Sequence, residues 1–258
     1  MPVKKIDFIF IKIKYNLKNV LIVSLLFFHF QINAEQNYSD LIQKAKYIEK
    51  YQVYVLNQNN YQIVWYKNKV KKAEGPLKNN LRDGYWKFWY NDGTLKAEGN
   101  FINNKMNGKW KYYYSNGQLQ AEGNYKDNKK EGEWKFYYSN GILKSVGHFS
   151  GGLRNGEWKE YYDNGKLFFK GNYNNDLANG FWQYYFNDGS FFQAGYFEND
   201  VRTGEWKICI QPGGPCGTEI IDNKSPPPIS NLPKIDSNHK FSEDISNPAK
   251  ILESFEKE

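Results

Sequence analysis

Glycine, tryptophan and polar residues recur along most of the chain with a period of 24 residues. Tryptophan stands at 86, 110, 134, 158, 182 and 206, each time two residues after a glycine, and the spacing never varies. Between these positions apolar and polar residues alternate, which is the period of a β-strand with one buried face. An unbroken period of this length indicates an array of structural repeats.

Each unit reads G-x-W-x-x-Y-Y-x-[ND]-G-x-L-x-x-x-G-x-[FY] and carries a turn signal near its middle. The signal is Asn-Gly at 116–117, 140–141 and 164–165, and Asp-Gly at 92–93 and 188–189. Such dipeptides between alternating residues predict a β-hairpin closed by a type I′ turn. We therefore predict a mainly β fold: an elongated single-layer stack of antiparallel β-hairpins with a short capping helix.

Centring each turn sets a register in which a large ring faces a glycine across the hairpin. Trp110 then faces Gly123, and we expect the ring to cover that glycine. A Gly123→Val substitution should clash with Trp110 and cost more than about 1 kcal/mol. The structural positions predicted in this way are Trp86, Trp110, Trp134, Trp158, Trp182, Trp206, Gly99, Gly123, Gly147, Gly171 and Gly195.

The opposite face of the predicted sheet combines lysines with a second series of rings. Because charged residues and tyrosines commonly line the solvated side of a sheet, this face has an ordinary structural interpretation. The other interpretation is a binding face built from the exposed rings. Its candidate residues are Trp89, Tyr113, Tyr137, Tyr161, Tyr185, Lys87, Lys111 and Lys135.

The ends of the array predict further segments. Residues 35–57 read as an N-terminal capping helix and strand, because Leu41, Ile42 and Ala45 have helical spacing. The repeat domain then covers residues 58–221. Residues 222–258 are proline-rich and polar at their start, which predicts a flexible tail, with a possible short helix that carries Ile251, Leu252 and Phe255.

The two cysteines, Cys209 and Cys216, fall in the last hairpin. If the register continues there, they face each other at the Cα separation of about 5.5 Å that a disulfide accepts. Metal binding is the alternative, but two cysteines without a nearby histidine make a poor ligand set. The sequence thus predicts a disulfide, which an oxidising compartment would allow.

The first 34 residues have the pattern of a secretory signal peptide. Five lysines precede an uncharged run from Val20 to Phe30, and Ala34 offers a small residue for cleavage. An uncleaved anchor is the alternative, although the run is short for a bilayer span. Export to the periplasm, the outer envelope or the medium is the expected localisation. Removal of residues 1–34 takes the formal charge from +7 (35 basic, 28 acidic) to +3 (30 basic, 27 acidic), so the charge no longer argues for nucleic acid.

Motifs of known chemistry are missing from the sequence. No nucleotide-binding glycine loop, H-E-x-x-H or EF-hand loop occurs, and the three histidines join no catalytic triad. We therefore expect no catalytic residue, no cofactor and no metal, and we expect that the protein is not an enzyme.

The repeated unit resembles the MORN repeat, in the bacterial variant common in proteins labelled as antitoxins of toxin-antitoxin systems. The resemblance covers roughly residues 60–215 and implies stacked hairpins that serve as a platform for proteins or lipids, with no catalytic residue. A weaker similarity links the aromatic core of the unit to choline- and glucan-binding cell-wall repeats.

Three functions follow as hypotheses. The first is an exported, non-catalytic repeat scaffold that mediates protein–protein interaction in the bacterial envelope or outside the cell. The second is a cell-wall or surface glycan-binding module, and the third is an antitoxin-like inhibitor. The expected partner is a protein of unknown identity, with an acidic glycan or a membrane surface as further candidates and nucleic acid excluded.

Overall fold

The computed structural model describes residues 36–221, which belong to two units, Met1–Lys46 and Tyr47–Glu258. In the first unit, residues 36–43 form a short helix, α1. The predicted signal peptide (1–34) and the predicted tail (222–258) lie outside the described residues. Between residues 36 and 221, no helix is long and apolar enough to cross a membrane.

The second unit is a sheet of short strands in chain order. They are β1 (Lys46–Ile48), β2 (Val53–Gln58), β3 (Tyr61–Tyr66), β4 (Lys71–Lys78), β5 (Leu81–Arg82), β6 (Gly84–Trp89), β7 (Leu95–Ile102), β8 (Lys105–Tyr113), β9 (Leu119–Lys126), β10 (Lys129–Tyr137), β11 (Leu143–Ser150), β12 (Leu153–Tyr161), β13 (Leu167–Asn174), β14 (Leu177–Tyr185), β15 (Phe191–Glu198), β16 (Val201–Cys209) and β17 (Cys216–Ile221). A 3₁₀ turn at Glu49–Tyr51 joins β1 to β2.

All 17 strands form one antiparallel sheet in which pairing follows the chain. Each strand pairs with the next one, except that β4 pairs at its end with the two-residue β5 and along its length with β6. The prediction of a mainly β stack of hairpins is confirmed. The predicted register is confirmed away from the turn, because Trp110 pairs with Gly123 and Tyr112 with Ala121. Next to the turn it is wrong, because a bulge after Tyr112 makes Tyr113, and not Tyr114, the partner of Leu119.

The glycine that each tryptophan covers differs from our expectation. Trp110 has a glycine opposite it on both sides, Gly123 in its own hairpin and Gly99 in the preceding one. A Cβ atom added to Gly99 would lie 2.3 Å from Trp110 Cδ2, whereas one added to Gly123 would lie 2.3 Å from Trp134 Cδ2. The prediction that Gly123→Val clashes with Trp110 is therefore wrong, because the new side chain would clash with Trp134.

Hydrogen bonds accompany this direction of the rings in Trp110 and Trp134. The indole Nε1 of Trp110 donates to the backbone oxygen of Asn100 at 3.0 Å, and Trp134 Nε1 donates to Asn124 O at 2.9 Å. Each acceptor belongs to the preceding hairpin, so the bond holds the ring over that hairpin's glycine. The ring thereby connects neighbouring repeats, as well as the two strands of one repeat.

The positions of the turn types also differ from the prediction. At Asn116-Gly117 only the glycine has a positive φ, +82°, and its N–H donates to Tyr114 O at 2.9 Å. This is a type I turn followed by a left-handed glycine. The dipeptides with two positive φ angles, typical of type I′ turns, join successive hairpins instead, as at Asn103 (49°) and Asn104 (64°). The predicted type I′ turn at the Asn-Gly dipeptide is therefore wrong.

Candidate binding face

The sheet has two faces of different chemistry. We call the side that carries the tryptophans the inner face and the opposite side, which carries Lys87 and Trp89, the outer face. All six predicted tryptophans are at most 2% exposed. Their rings pack in a continuous row, for example Trp110 edge-on against Phe101 with ring centroids 5.1 Å apart. The inner face is thus the core of the repeats, which leaves the outer face as the accessible one.

A ladder of tyrosine hydroxyls ties the repeats together. In four successive repeats the hydroxyl of the tyrosine just before the turn donates to a backbone oxygen 23 residues further on, at 2.7–2.8 Å. The donors are Tyr90, Tyr114, Tyr138 and Tyr162. Sequence reasoning missed this role, although the second tyrosine of the Y-Y pair in the repeated unit was its signal.

In the N-terminal part of the outer face, the predicted rings are half-buried and engaged with neighbouring charges. The hydroxyl of Tyr113 donates to Glu98 Oε1 at 2.8 Å, and Lys71 Nζ lies 5.1 Å from the ring centroid of Trp89. Burial and the Glu98 carboxylate raise the pKa of Tyr113, so its hydroxyl stays protonated as a donor. Lys109 and Glu122 form an ion pair at 3.0 Å. These side chains are thus already engaged in contacts within the sheet.

The remaining predicted residues lie on the same outer face. Tyr137, Tyr161 and Tyr185 are half-buried on the same side, as are Lys111 and Lys135, whereas Lys87 is exposed. Lys135 pairs with Glu133 at 3.2 Å. The structure thus brings the predicted residues to one face, and their role in binding stays a prediction.

The C-terminal part of the outer face lacks these charges. Gln183 and Ala194 face each other where Lys87 and Glu98 stand four repeats earlier. Phe181 and Tyr196 also face each other, 43% and 55% exposed, with ring centroids 5.1 Å apart. We define the aromatic patch as Phe181, Gln183, Tyr185, Phe191, Ala194 and Tyr196.

Two lysines flank the aromatic patch. Lys170 of β13 pairs with Gln183, and Lys207 of β16 pairs with Ala194. Sequence reasoning did not select Phe181 or Tyr196 as site residues. The available signal was the break in the repeat, since glutamine interrupts the lysine series at position 183.

One charged cluster interrupts the inner face. Glu160, 8% exposed, occupies the position that Phe136 fills one repeat earlier. Burial raises the pKa of Glu160 to about 7, although Lys144 and Arg154 favour its charged form. Burial also lowers the pKa of Lys130, which lies 4.9 Å from the Trp134 ring centroid, to about 8. Over residues 36–221, no group of three His, Cys, Asp or Glu side chains could hold a metal ion.

The last hairpin carries the predicted disulfide. Cys209 of β16 pairs with Cys216 of β17, and their sulfur atoms are bonded with the Cα atoms 4.0 Å apart. The bond is consistent with an oxidising compartment.

Comparison with solved structures finds partial similarities only. "Crystal Structure of TarM" is 11% identical, with 45% of this chain and 21% of that chain covered and a TM-score of 0.26. A mutant S. aureus TarM in complex with Fondaparinux, alpha-GlcNAc-glycerol and UDP is 10% identical, with 47% and 23% covered and a TM-score of 0.27. The GtfA/B complex bound to UDP and GlcNAc is 9% identical, with 49% and 25% covered and a TM-score of 0.22. The matches span a quarter or less of those proteins, and they carry no argument about function.

The repeats themselves match a family model. No curated protein matches the chain. A model described as the MORN repeat variant matches residues 82–103, 106–127, 130–150 and 154–175. These four segments follow the hairpins of the sheet, and the description concerns the repeat alone, without reference to antitoxins. The chain therefore carries four consecutive MORN repeats of the variant type between residues 82 and 175.

Proposed function

We propose that this protein is an exported, non-catalytic scaffold that binds a protein partner through the aromatic patch. MORN repeats indicate a repeat scaffold. The observation that carries the proposal is the exposed pair of rings, Phe181 and Tyr196, on a part of the outer face where uncharged Gln183 and Ala194 face each other.

Exposed aromatic side chains with a polar rim are typical of protein interfaces. Aromatic residues are enriched at the centres of interfaces, whereas lysine and glutamate are depleted there. The patch follows this composition, because Gln183 and Ala194 lie between its rings and Lys170 and Lys207 form its rim. The fixed hairpin geometry would present these rings without an ordering cost, which favours affinity.

The binding proposal is tested with two single variants at equivalent repeat positions. The mature protein is used to capture partners from an envelope fraction, either unchanged or as Phe181→Ser or Tyr85→Ser. Tyr85 is the matched control because it stands four repeats earlier and is 47% exposed, beside the charged pair Lys87 and Glu98. We expect Phe181→Ser to weaken capture about tenfold and Tyr85→Ser to leave it unchanged. Equal effects of the two substitutions would contradict the proposal.

Export is tested separately. The disulfide between Cys209 and Cys216 supports an oxidising location. We expect N-terminal sequencing of the mature protein to begin at Glu35 and a thiol assay without reductant to find no reactive thiol. A cytosolic protein with Met1 intact and two free thiols would overturn export and would favour the antitoxin-like alternative.

A glycan is the second candidate partner. Trp89, Tyr113, Tyr137, Tyr161 and Tyr185 recur every second strand, about 10 Å apart at ordinary strand spacing. This row would suit an extended polysaccharide. Retention on peptidoglycan or acidic glycans that is lost in Tyr113→Ala and Tyr137→Ala would support this candidate. Binding to lipid vesicles, with the same two variants, tests a membrane surface.

A further inference from the structure

The C-terminal end of the chain offers a candidate occupant for the aromatic patch. We propose that residues 249–258 bind across the patch and cover it, so that any external partner must displace them. The inference uses the patch as a docking surface and does not require that a partner exist.

The position where the described chain ends supports this occupant. Ile221, the last residue of β17, pairs with Gly204 of β16, and Thr203 of the same strand pairs with Tyr196. The chain therefore leaves the sheet two strands from the patch, about 10 Å away. The 27 residues from 222 to 248 can span up to about 90 Å when fully extended, so reach does not limit docking. A tethered segment also has a high effective concentration at a nearby site.

A further exposed apolar residue lies beside that exit. Ile220, which faces Glu205 on the outer face of β17, is 81% exposed. Thr203, Glu205 and Lys207 of β16 separate it from the rings of the patch. A segment that reaches the patch from Ile221 therefore meets apolar residues at both ends of a polar strand.

Residues 249–258 have the composition that this surface requires. Their sequence is AKILESFEKE, and Ile251, Leu252 and Phe255 have the spacing that brings apolar side chains to one face of a helix. Such a face could cover exposed rings in the way an amphipathic helix covers a groove.

The charge of the segment is compatible with the patch. The segment contains three glutamates and two lysines. The patch is uncharged and lies between Lys170 and Lys207, with Glu205 as the acidic neighbour on β16. Four repeats earlier the same surface presents Glu98, and the repeat after it presents Glu122, and both glutamates face lysines. The difference between the two regions is therefore the exposed apolar rings of the patch and not the net charge.

The test places a photo-crosslinker in the segment of the full chain. Phe255 is replaced by p-benzoylphenylalanine, the purified protein is irradiated, and the crosslinked peptides are identified by mass spectrometry. We expect the main product to join position 255 to residues 181–198 of the same molecule. The matched control carries the probe at Phe241, in the preceding part of the tail, and should label the patch about tenfold less, since only position 255 belongs to the docked segment.

Substitutions in the patch complete the test. Phe181→Ser should lower the crosslink yield about tenfold, whereas Tyr85→Ser should leave it unchanged. Crosslinks that form elsewhere, that join two molecules only, or that persist in Phe181→Ser would overturn the inference. The purified protein contains no partner, so this result is independent of the capture experiment. If both proposals hold, Leu252→Ser with Phe255→Ser should increase partner capture.

Discussion

The inner and outer faces of the same sheet differ in how strictly they repeat. On the inner face, every tryptophan from Trp86 to Trp206 is nearly inaccessible, and each covers a glycine of the preceding hairpin. On the outer face, Lys87 opposite Glu98 becomes Gln183 opposite Ala194 four repeats later. Packing restricts the residues at the tryptophan and glycine positions of the inner face, whereas solvent tolerates many residues at the outer positions. Departures on the outer face are therefore the informative ones for function.

The largest expected effect tests whether the inner face is as constrained as this comparison requires. In Gly123→Val the new Cβ would lie 2.3 Å from Trp134 Cδ2, so the indole must leave its place. We expect a loss of about 4 kcal/mol, comparable to the loss of a buried tryptophan side chain. Denaturant unfolding of the variant and the unchanged protein measures it.

The control is a glycine whose constraint is conformational rather than steric. Gly117 has φ +82°, and a Cβ atom added to it would meet no atom within 4 Å beyond its chain neighbours. Gly117→Val should therefore cost about 2 kcal/mol through its backbone alone. Equal losses for the two variants would show that the contact between Gly123 and Trp134 does not limit stability.

The second prediction concerns Glu160, the inner-face residue that replaces the aromatic ring found one repeat earlier. Its pKa rises from 4.5 in the unfolded chain to about 7 in the folded protein because of burial. The folded state thus binds the proton more tightly, and stability is highest below about pH 4.5 and falls as the pH rises through about 7. The shift corresponds to about 3 kcal/mol.

Glu160→Gln should remove this pH dependence. Thermal unfolding between pH 4.5 and 8 is expected to show a falling stability in the unchanged protein and a flatter profile in the variant. Glu157→Gln, at an exposed position three residues earlier, is the control and should keep the original profile. An identical slope in Glu160→Gln and the unchanged protein would contradict the assignment.

The sequence predicted the hairpins and their register, because the 24-residue period fixes which residues face each other. Cys209 and Cys216 follow from that register and form the disulfide. The direction of the tryptophans did not follow, since Trp110 has Gly99 and Gly123 on its two sides and the register alone does not distinguish them.

The turn types and the aromatic patch were not predicted from the sequence, for different reasons. The Asn-Gly dipeptide fits both a type I′ turn and a type I turn with a following glycine, and loop length decided between them. The patch depends on departures from the repeat, at Gln183 and Tyr196, which a consensus of the repeats conceals.

A smaller effect is expected where the repeats are joined by tyrosine hydroxyls. Tyr114→Phe removes the donor to Tyr137 O at 2.7 Å and leaves that bond unmade, which should cost about 1 kcal/mol. Tyr113→Phe removes the outer-face bond to Glu98 and should cost about 0.5 kcal/mol, since water can replace the lost donor. Chemical denaturation of both variants compares them, and a larger loss for Tyr113→Phe would reverse the ranking of the two faces.

The smallest effect on stability is expected in the aromatic patch itself. Phe181 and Tyr85 occupy equivalent outer positions and are similarly exposed, so Phe181→Ser and Tyr85→Ser should each change the free energy of unfolding by about 0.5 kcal/mol or less. Unfolding measurements on both variants check this. A loss above about 2 kcal/mol in Phe181→Ser would mean that its ring serves packing rather than binding. A loss of about 0.5 kcal/mol or less would leave the exposed contact between Phe181 and Tyr196 free for the proposed binding role.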